Sequence, residues 1–248
     1  MSGAQAMVLA AGRGERMRPL TDRCPKPLLE VRGQPLLGWH LQALQQAGFA
    51  EAVINTAWLG EQIEARFGPQ LAGGLRIRYS HEGRDFGGAL ETAGGILRAL
   101  PLLDEAFWLV AGDVFMPGFR FDRAALDRFA AGDRLAHLYL VPNPPHNPKG
   151  DFGLDANGLA LNAAAVRHTY STTGLFKKAL FAGLPAGNPQ GLKLPLAPLL
   201  RAAMDRGQVS AELYTGAWTD VGTPQRLAAL NASGGATQSL AQTRTMKP

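Results

Sequence analysis

At 248 residues, with 46% apolar and only 18% charged side chains, the chain can build one large α/β domain or two small ones around a full core. Its net charge of +5 is spread along the sequence with no basic cluster, which argues against a nucleic-acid partner and suits anionic small molecules. No run of about 18 apolar residues offers a membrane span, and no basic-then-apolar leader opens the chain, so no membrane association or export is expected.

Ala6–Ala10 reads as a buried strand that runs straight into a glycine-bearing loop, Gly12–Lys26. Cys24, the single cysteine, lies in that loop; alone it excludes an internal disulfide framework and fits a reducing cytoplasm. Pro35–Ala47 reads as a helix, opened by proline and closed by Gly48, with Leu36, Leu37, His40, Leu41 and Leu44 on one face. His40 is therefore expected in the core or at its boundary. Ala52–Asn55 is a short strand, Leu59–Phe67 a helix and Leu75–Ser80 an alternating strand. Ala89–Leu100 is a helix and Phe107–Ala111 a strongly apolar strand; Arg123–Ala131 then precedes the strand Ala136–Val141. This βαβα alternation, with near-continuous apolar strands, predicts an α/β, Rossmann-like fold: a mostly parallel twisted sheet with helices on both faces.

Past Pro142 the texture changes. Pro142–Lys149 is a Pro/Asn loop and Asp151–Leu161 is short and turn-rich. Helical periodicity returns at Lys193–Arg206, Glu212–Val221 reads as a returning strand pair, and Pro224–Leu230 as a helix that Thr223 can cap. Residues 142–215 are expected to cover the substrate on the same sheet, inside one domain spanning 1–231. The Ser/Gly/Thr/Gln-rich stretch 232–248 is expected to be a disordered tail.

Ligands of parallel α/β sheets bind outside the carboxyl ends of the strands, which is where the first loop begins. Gly12 and Gly14 let its backbone turn N–H groups toward phosphate oxygens. Arg13, Arg16 and Arg18 add planar forks suited to phosphate, and Lys26 is held between Pro25 and Pro27. The loop is neither a Rossmann fingerprint nor a P-loop, since Gly-Lys-Ser/Thr is missing. Two aspartates, Asp113 in Gly112-Asp113-Val114 and Asp220 in Thr219-Asp220-Val221-Gly222-Thr223-Pro224, fit the hard-oxygen demand of Mg²⁺; either alone reads nearly as well as a turn or helix cap. Glu91-Thr92-Ala93-Gly94-Gly95 permits close approach of a flat base, with a hydroxyl from Thr92, or is simply a glycine-softened helix start. Asp151 in Lys149-Gly150-Asp151 can face sugar hydroxyls, and a plain turn explains it as well.

The string Leu9-Ala10-Ala11-Gly12-Arg13-Gly14-Glu15-Arg16-Met17-Arg18-Pro19, with Pro25-Lys26-Pro27, resembles the signature of the sugar-1-phosphate nucleotidylyltransferases. Gly112-Asp113 and Asp220-Val221-Gly222-Thr223-Pro224 resemble that family's later motifs, so the likeness spans about residues 4–231. Within the family, Ala57-Trp58-Leu59-Gly60, Leu90-Glu91-Thr92, Lys149-Gly150-Asp151-Phe152 and Lys193-Leu194 are most similar to the short N-acetylmuramate-1-phosphate uridylyltransferases of cell-wall recycling. The resemblance implies a single nucleotidyltransferase domain that joins a sugar-1-phosphate to UTP, releasing pyrophosphate, as a monomer or small homo-oligomer. It implies that Leu9, Ala11, Gly12, Gly14, Glu15 and Arg16 hold the nucleotide, that Lys26 and Arg16 are catalytic, and that Asp113 and Asp220 hold Mg²⁺. Thr92 and Glu82 would lie near the base, and Asp151 and Ala111 at the sugar. Three positions depart from relatives: Ala111 stands where some carry Asn, Ala93 replaces a glycine, and Leu159–Arg167 offers no glutamate before Thr173. Two other readings stand beside the first: a glucose- or mannose-1-phosphate enzyme using another NTP, and a nucleotide-sugar-binding regulator without turnover.

Overall fold

Seven strands form one sheet in the computed structural model, which describes residues 4–232. In chain order they are β1 (Ala4–Ala10), β2 (Glu51–Thr56), β3 (Arg76–His81), β4 (Leu103–Ala111), β5 (Ala136–Val141), β6 (Thr169–Lys177) and β7 (Val209–Leu213). Their spatial order is β7-β5-β6-β4-β1-β2-β3. β1 pairs in parallel with β2 and β4, β2 with β3, and β7 with β5; β6 alone runs antiparallel, between β4 and β5. The sheet is thus mostly parallel, as expected.

Successive side chains of a strand point to opposite faces, and here both faces are buried. Met7 and Leu9 of β1 join Phe107, Leu109, Leu138 and Phe176 on one face. Ala6, Val8 and Ala10 join Ile54, Trp108 and Val110 on the other. The first face is covered by α3 (Glu91–Ala99) and α5 (Ala197–Asp205), through Ile96, Leu97, Leu200, Ala203 and Met204. The second is covered by α1 (Leu36–Gln46), α2 (Gly60–Phe67) and α4 (Arg123–Ala131), through Leu37, Leu41, Leu44, Ile63, Leu126 and Phe129. His40 is buried in α1, its Nε2 2.9 Å from the carbonyl of Val114. No helix among the described residues is long and apolar enough to cross a membrane.

Three expectations beyond Val141 need correction. First, a strand stands where none was expected: β6 crosses the sheet interior, interrupted by a bulge that places Tyr170 opposite Leu140 but Gly174 opposite Leu138. Second, the helix expected from Lys193 begins only at Ala197. The segment before it is extended, because the N–H groups of Ala93 and Gly94 donate to the Leu194 carbonyl and Leu194 donates back to that of Leu90. Third, Glu212–Val221 is not a strand pair: β7 ends at Leu213, and Thr219–Asp220 pairs instead with Val114–Phe115. A last helix runs through 224–232, where the Thr223 hydroxyl accepts from the Arg226 N–H at 3.3 Å. Apart from Ala232, the tail expected at 232–248 lies outside the described residues.

Candidate active site

The carboxyl ends of β1, β2 and β4 open into a cavity of about 720 Å³. Leu9, Ala11, Gly12, Lys26, Glu82, Thr92, Ala111, Asp113 and Asp151, all singled out in the sequence, line it. Parallel pairing explains part of the convergence: Leu9 is opposite Ala111 in register, so the chain leaves both strands at the same level. The Lys26 side chain is 9% exposed, and its Nζ donates to Asp113 Oδ2 at 2.6 Å across 87 residues of sequence.

Asp220 arrives beside Asp113 through the short ladder: it pairs with Val114, and the Val221 N–H donates to the Asp113 carbonyl at 2.9 Å. Its carboxylate, however, lines a smaller adjoining pocket with His146, Trp218 and Arg226 rather than the main cavity. Asp220 Oδ2 accepts from Arg226, and His146 Nε2 lies 2.8 Å from Oδ1. Arg16 also falls outside the main cavity. Its Nη2 sits 3.6 Å from the position a Cβ would take on Gly222, on the Asp220 side.

The glycine loop is tied down differently from the phosphate-facing forks read in the sequence. Arg13 borders the cavity but stacks on Trp58 at 3.8 Å and donates to Asp22 Oδ1 at 3.1 Å. Arg18 donates to the same oxygen at 2.7 Å, and Glu15 lies 3.7 Å from both arginines. These contacts hold the Asp22 carboxyl below the usual range, the Arg13 hydrogen bond leading. Gly14 takes φ 70°, where a side chain would be strained, and packs against Thr21 and Lys26.

On the opposite wall, Glu82 is fully buried and braces the scaffold: it accepts from the Leu90 N–H at 2.7 Å and the Asn55 amide at 2.6 Å. Burial pushes its carboxyl up. Asn55 in turn accepts from the Ala10 N–H at 2.8 Å, locking β1 to β2 beneath the cavity. Asp151 accepts from the Tyr170 N–H at 2.8 Å and the Asn147 amide at 3.2 Å. Sequence reasoning missed Asn55, Tyr170, Thr172 and Arg201, all on the cavity wall, and His146 and Arg226 beside Asp220. For Arg226 a signal existed in its place six residues after Asp220 on the same motif. For Tyr170 and Thr172 the signal lay in strand β6 and for Arg201 in the rotation of α5, while Asn55 lies near the end of β2 and His146 in the Pro/Asn loop, where no local pattern marks them.

Comparison with known proteins places this geometry. The model of the nucleotidyl transferase family matches residues 5–234. The chain belongs to that family. It is 48% identical over 94% of its length to the N-acetylmuramate alpha-1-phosphate uridylyltransferase of Neisseria meningitidis serogroup B, of which it covers 99%. A Caulobacter vibrioides protein of the same name is 33% identical, with 92% of this chain and 95% of that relative covered. A Bacillus anthracis structure described as a glucose-1-phosphate thymidylyltransferase superposes with a TM-score of 0.76 over 93% of this chain and 94% of its own, at 18% identity; this likeness shows the fold.

For a nucleotidyl transferase the donor set near the glycine loop can be tested against a divalent cation. No cluster of three or more His, Cys, Asp or Glu side chains that could hold a metal is present among the described residues. Mg²⁺, however, is commonly held by one or two carboxylates, with waters and substrate phosphates completing the octahedron. Asp220, in the two-residue ladder, and Asp113, in the turn just before its partner strand, supply two. Asp220 Oδ1 is buried with His146 Nε2 2.8 Å away and makes no aligned hydrogen bond, so the carboxylate oxygen keeps lone pairs that a cation can take. The residues fit the ion.

Proposed function

We propose that this chain is a Mg²⁺-dependent uridylyltransferase of cytoplasmic cell-wall recycling, joining N-acetylmuramate α-1-phosphate to UTP and releasing pyrophosphate. The observation that carries this reading is the near-full-length identity of 48% to the Neisseria enzyme of that name. The cleft chemistry supports it. The attacking group, a sugar-phosphate oxygen, is already an anion, so no strong general base is required. Catalysis then consists of aligning two anions for in-line displacement at the α-phosphorus and neutralising their charge.

In this reading Lys26 bridges the phosphates that meet, and Arg16 neutralises the triphosphate beside it. The backbone from Leu9 through Glu15, with Gly12 and Gly14, cradles the phosphates. Thr92 and the turn at Glu82 face the base, Glu82 acting through the backbone it braces. Asp151 and the wall at Ala111 face the sugar. Asp113 and Asp220 would hold Mg²⁺, which when bound supplies Lewis-acid charge neutralisation to the phosphates.

A panel of sugar 1-phosphates against UTP, GTP and dTTP, scored by pyrophosphate release, tests the reading. N-acetylmuramate α-1-phosphate with UTP is expected to give the highest kcat/KM. Preference for glucose or mannose 1-phosphate would replace the substrate assignment. Tight UDP-sugar binding with no pyrophosphate release from any pair would overturn the enzyme itself.

A further inference from the structure

The cavity wall carries three cations, and two of them already have carboxylate partners. Lys26 is paired with Asp113, and Arg13 with Asp22. Arg201, on α5, pairs with no carboxylate among the described residues. It is nonetheless held in place. Its Nη1 donates to the side-chain oxygen of Asn162 at 2.6 Å, and the Asn162 amide is in turn pinned by Asp205, one turn further along α5, at 3.1 Å. The guanidinium carbon sits 5.0 Å from the centre of the Phe152 ring. Phe152 follows Asp151, and Tyr170, whose N–H binds Asp151, lines the same end of the cavity. A partly buried guanidinium, oriented from one edge by a neutral amide and a ring, keeps its remaining N–H donors for an anion. Were it needed only for stability, a buried or ring-packed apolar side chain would serve with no desolvation cost.

We propose that Arg201 is the specificity-determining residue of the acceptor site and binds a carboxylate on the sugar. This rests on the uridylyl-transfer reading above and deepens it. A muramate differs from N-acetylglucosamine by one feature, a lactyl ether on O3 that ends in a carboxylate. All sugar 1-phosphates carry the phosphate, so a cation recognising phosphate could not separate them. A planar fork held against Phe152, whose ring lies 6.3 Å from that of Tyr170, and taking no part in the Lys26–Asp113 pair, is suited to the extra carboxylate. The ether arm's apolar methyl has the Phe152 ring and Leu200 as neighbours on the same wall.

The test compares two acceptors that differ by the arm alone, N-acetylmuramate α-1-phosphate and N-acetylglucosamine α-1-phosphate, with UTP and Mg²⁺. The readout is the ratio of their kcat/KM values in the wild type, Arg201→Gln and Arg201→Lys. A charge-assisted bidentate contact predicts that the muramate preference falls about 10- to 100-fold in Arg201→Gln, with partial recovery in Arg201→Lys. An unchanged ratio, whether both acceptors lose equally or neither loses, overturns the assignment. The ratio of UDP-muramate to UDP-N-acetylglucosamine affinities, measured by calorimetry on the same three proteins, reads the contact without turnover. If the wild type turns over neither acceptor, the uridylyl-transfer reading fails. The calorimetric ratio then still decides Arg201: a preference lost in Arg201→Gln supports it, and its absence or persistence overturns it.

Discussion

At the scale of single residues, the flanking prolines explain why Lys26 can be buried with its ammonium aimed at one oxygen. Pro25 and Pro27 restrict the backbone on either side, so little conformational freedom is lost in holding Nζ 2.6 Å from Asp113. Lys26→Ala is expected to lower kcat by roughly 10²–10³, the scale for one preorganised charge donor, while circular dichroism stays native. Turnover near that of the wild type would remove Lys26 from the mechanism. His40 makes a different prediction, on stability. Burial lowers its pKa to about 4, the Val114 carbonyl and Asp113 opposing the shift only in part. The folded state therefore refuses a proton that the unfolded chain accepts, so stability is full above about pH 6.5 and declines as pH falls toward 4. A shift of that size corresponds to roughly 3 kcal/mol at most. His137 shifts the same way through burial, so the clean measurement is the difference in pH-dependent Tm between wild type and His40→Gln. A difference that does not change between pH 7 and 4.5 would contradict this account.

At the scale of elements, β6 and α3 show where sequence patterning stops being readable. The run Thr169–Thr173 is polar and β-branched, so it has neither the apolar alternation of a half-buried strand nor the apolar run of a central one. Thr169, Ser171 and Thr173 are buried all the same, because their polar groups find partners, whereas the Tyr170 hydroxyl is buried without one. The Thr169 hydroxyl donates to Asn143 at 3.0 Å, and the Ser171 hydroxyl accepts from the Thr173 N–H at 3.2 Å. The bulge turns Thr172 to φ 59° on the cavity wall, a conformation no composition rule anticipates. In α3 the glycine run was legible as a place of close approach, but what approaches was not. A Cβ on Gly94 would stand 2.4 Å from the carbonyl oxygen of Leu192, so the extended segment that delayed α5 needs that glycine. Gly94→Ala should therefore lower stability by about 1–3 kcal/mol despite alanine's better helix propensity. It should also raise KM for the acceptor more than for UTP, since residues 195–197 line the cavity. A gain in Tm, as propensity alone would give, would show that the Leu192 segment yields freely.

Over the whole molecule, the first half of the fold was readable because each strand and helix there carries its own period, and parallel pairing then follows from short βαβ crossovers. What could not be read was which distant segments meet. Asp113 and Asp220 are brought side by side by a two-residue ladder, Val114–Phe115 with Thr219–Asp220, that no local signal marks. The helix through 224–232 fastens that junction. Arg226 holds Asp220, Leu227 and Leu230 pack with Met17 of the glycine loop, and Asn231 joins the turn at Glu30 and Arg32 at 3.1 and 2.7 Å. A ligand filling the cavity would meet the N-terminal loop and the α3 wall directly and, through Asp113 and its ladder to Asp220, the C-terminal junction as well. It should stabilise the whole fold, not one loop. UTP with Mg²⁺ at about 100 times its Kd contributes roughly 2.7 kcal/mol, which for a domain of this size raises Tm by about 5–10 °C in a single transition. Chelating the divalent ion with EDTA should remove most of that gain, because the carboxylates of Asp113 and Asp220 would then face the phosphates with only Lys26, Arg226 and Arg16 to offset them. Differential scanning calorimetry with and without EDTA makes the comparison; a UTP shift of equal size in both would take the ion out of nucleotide binding.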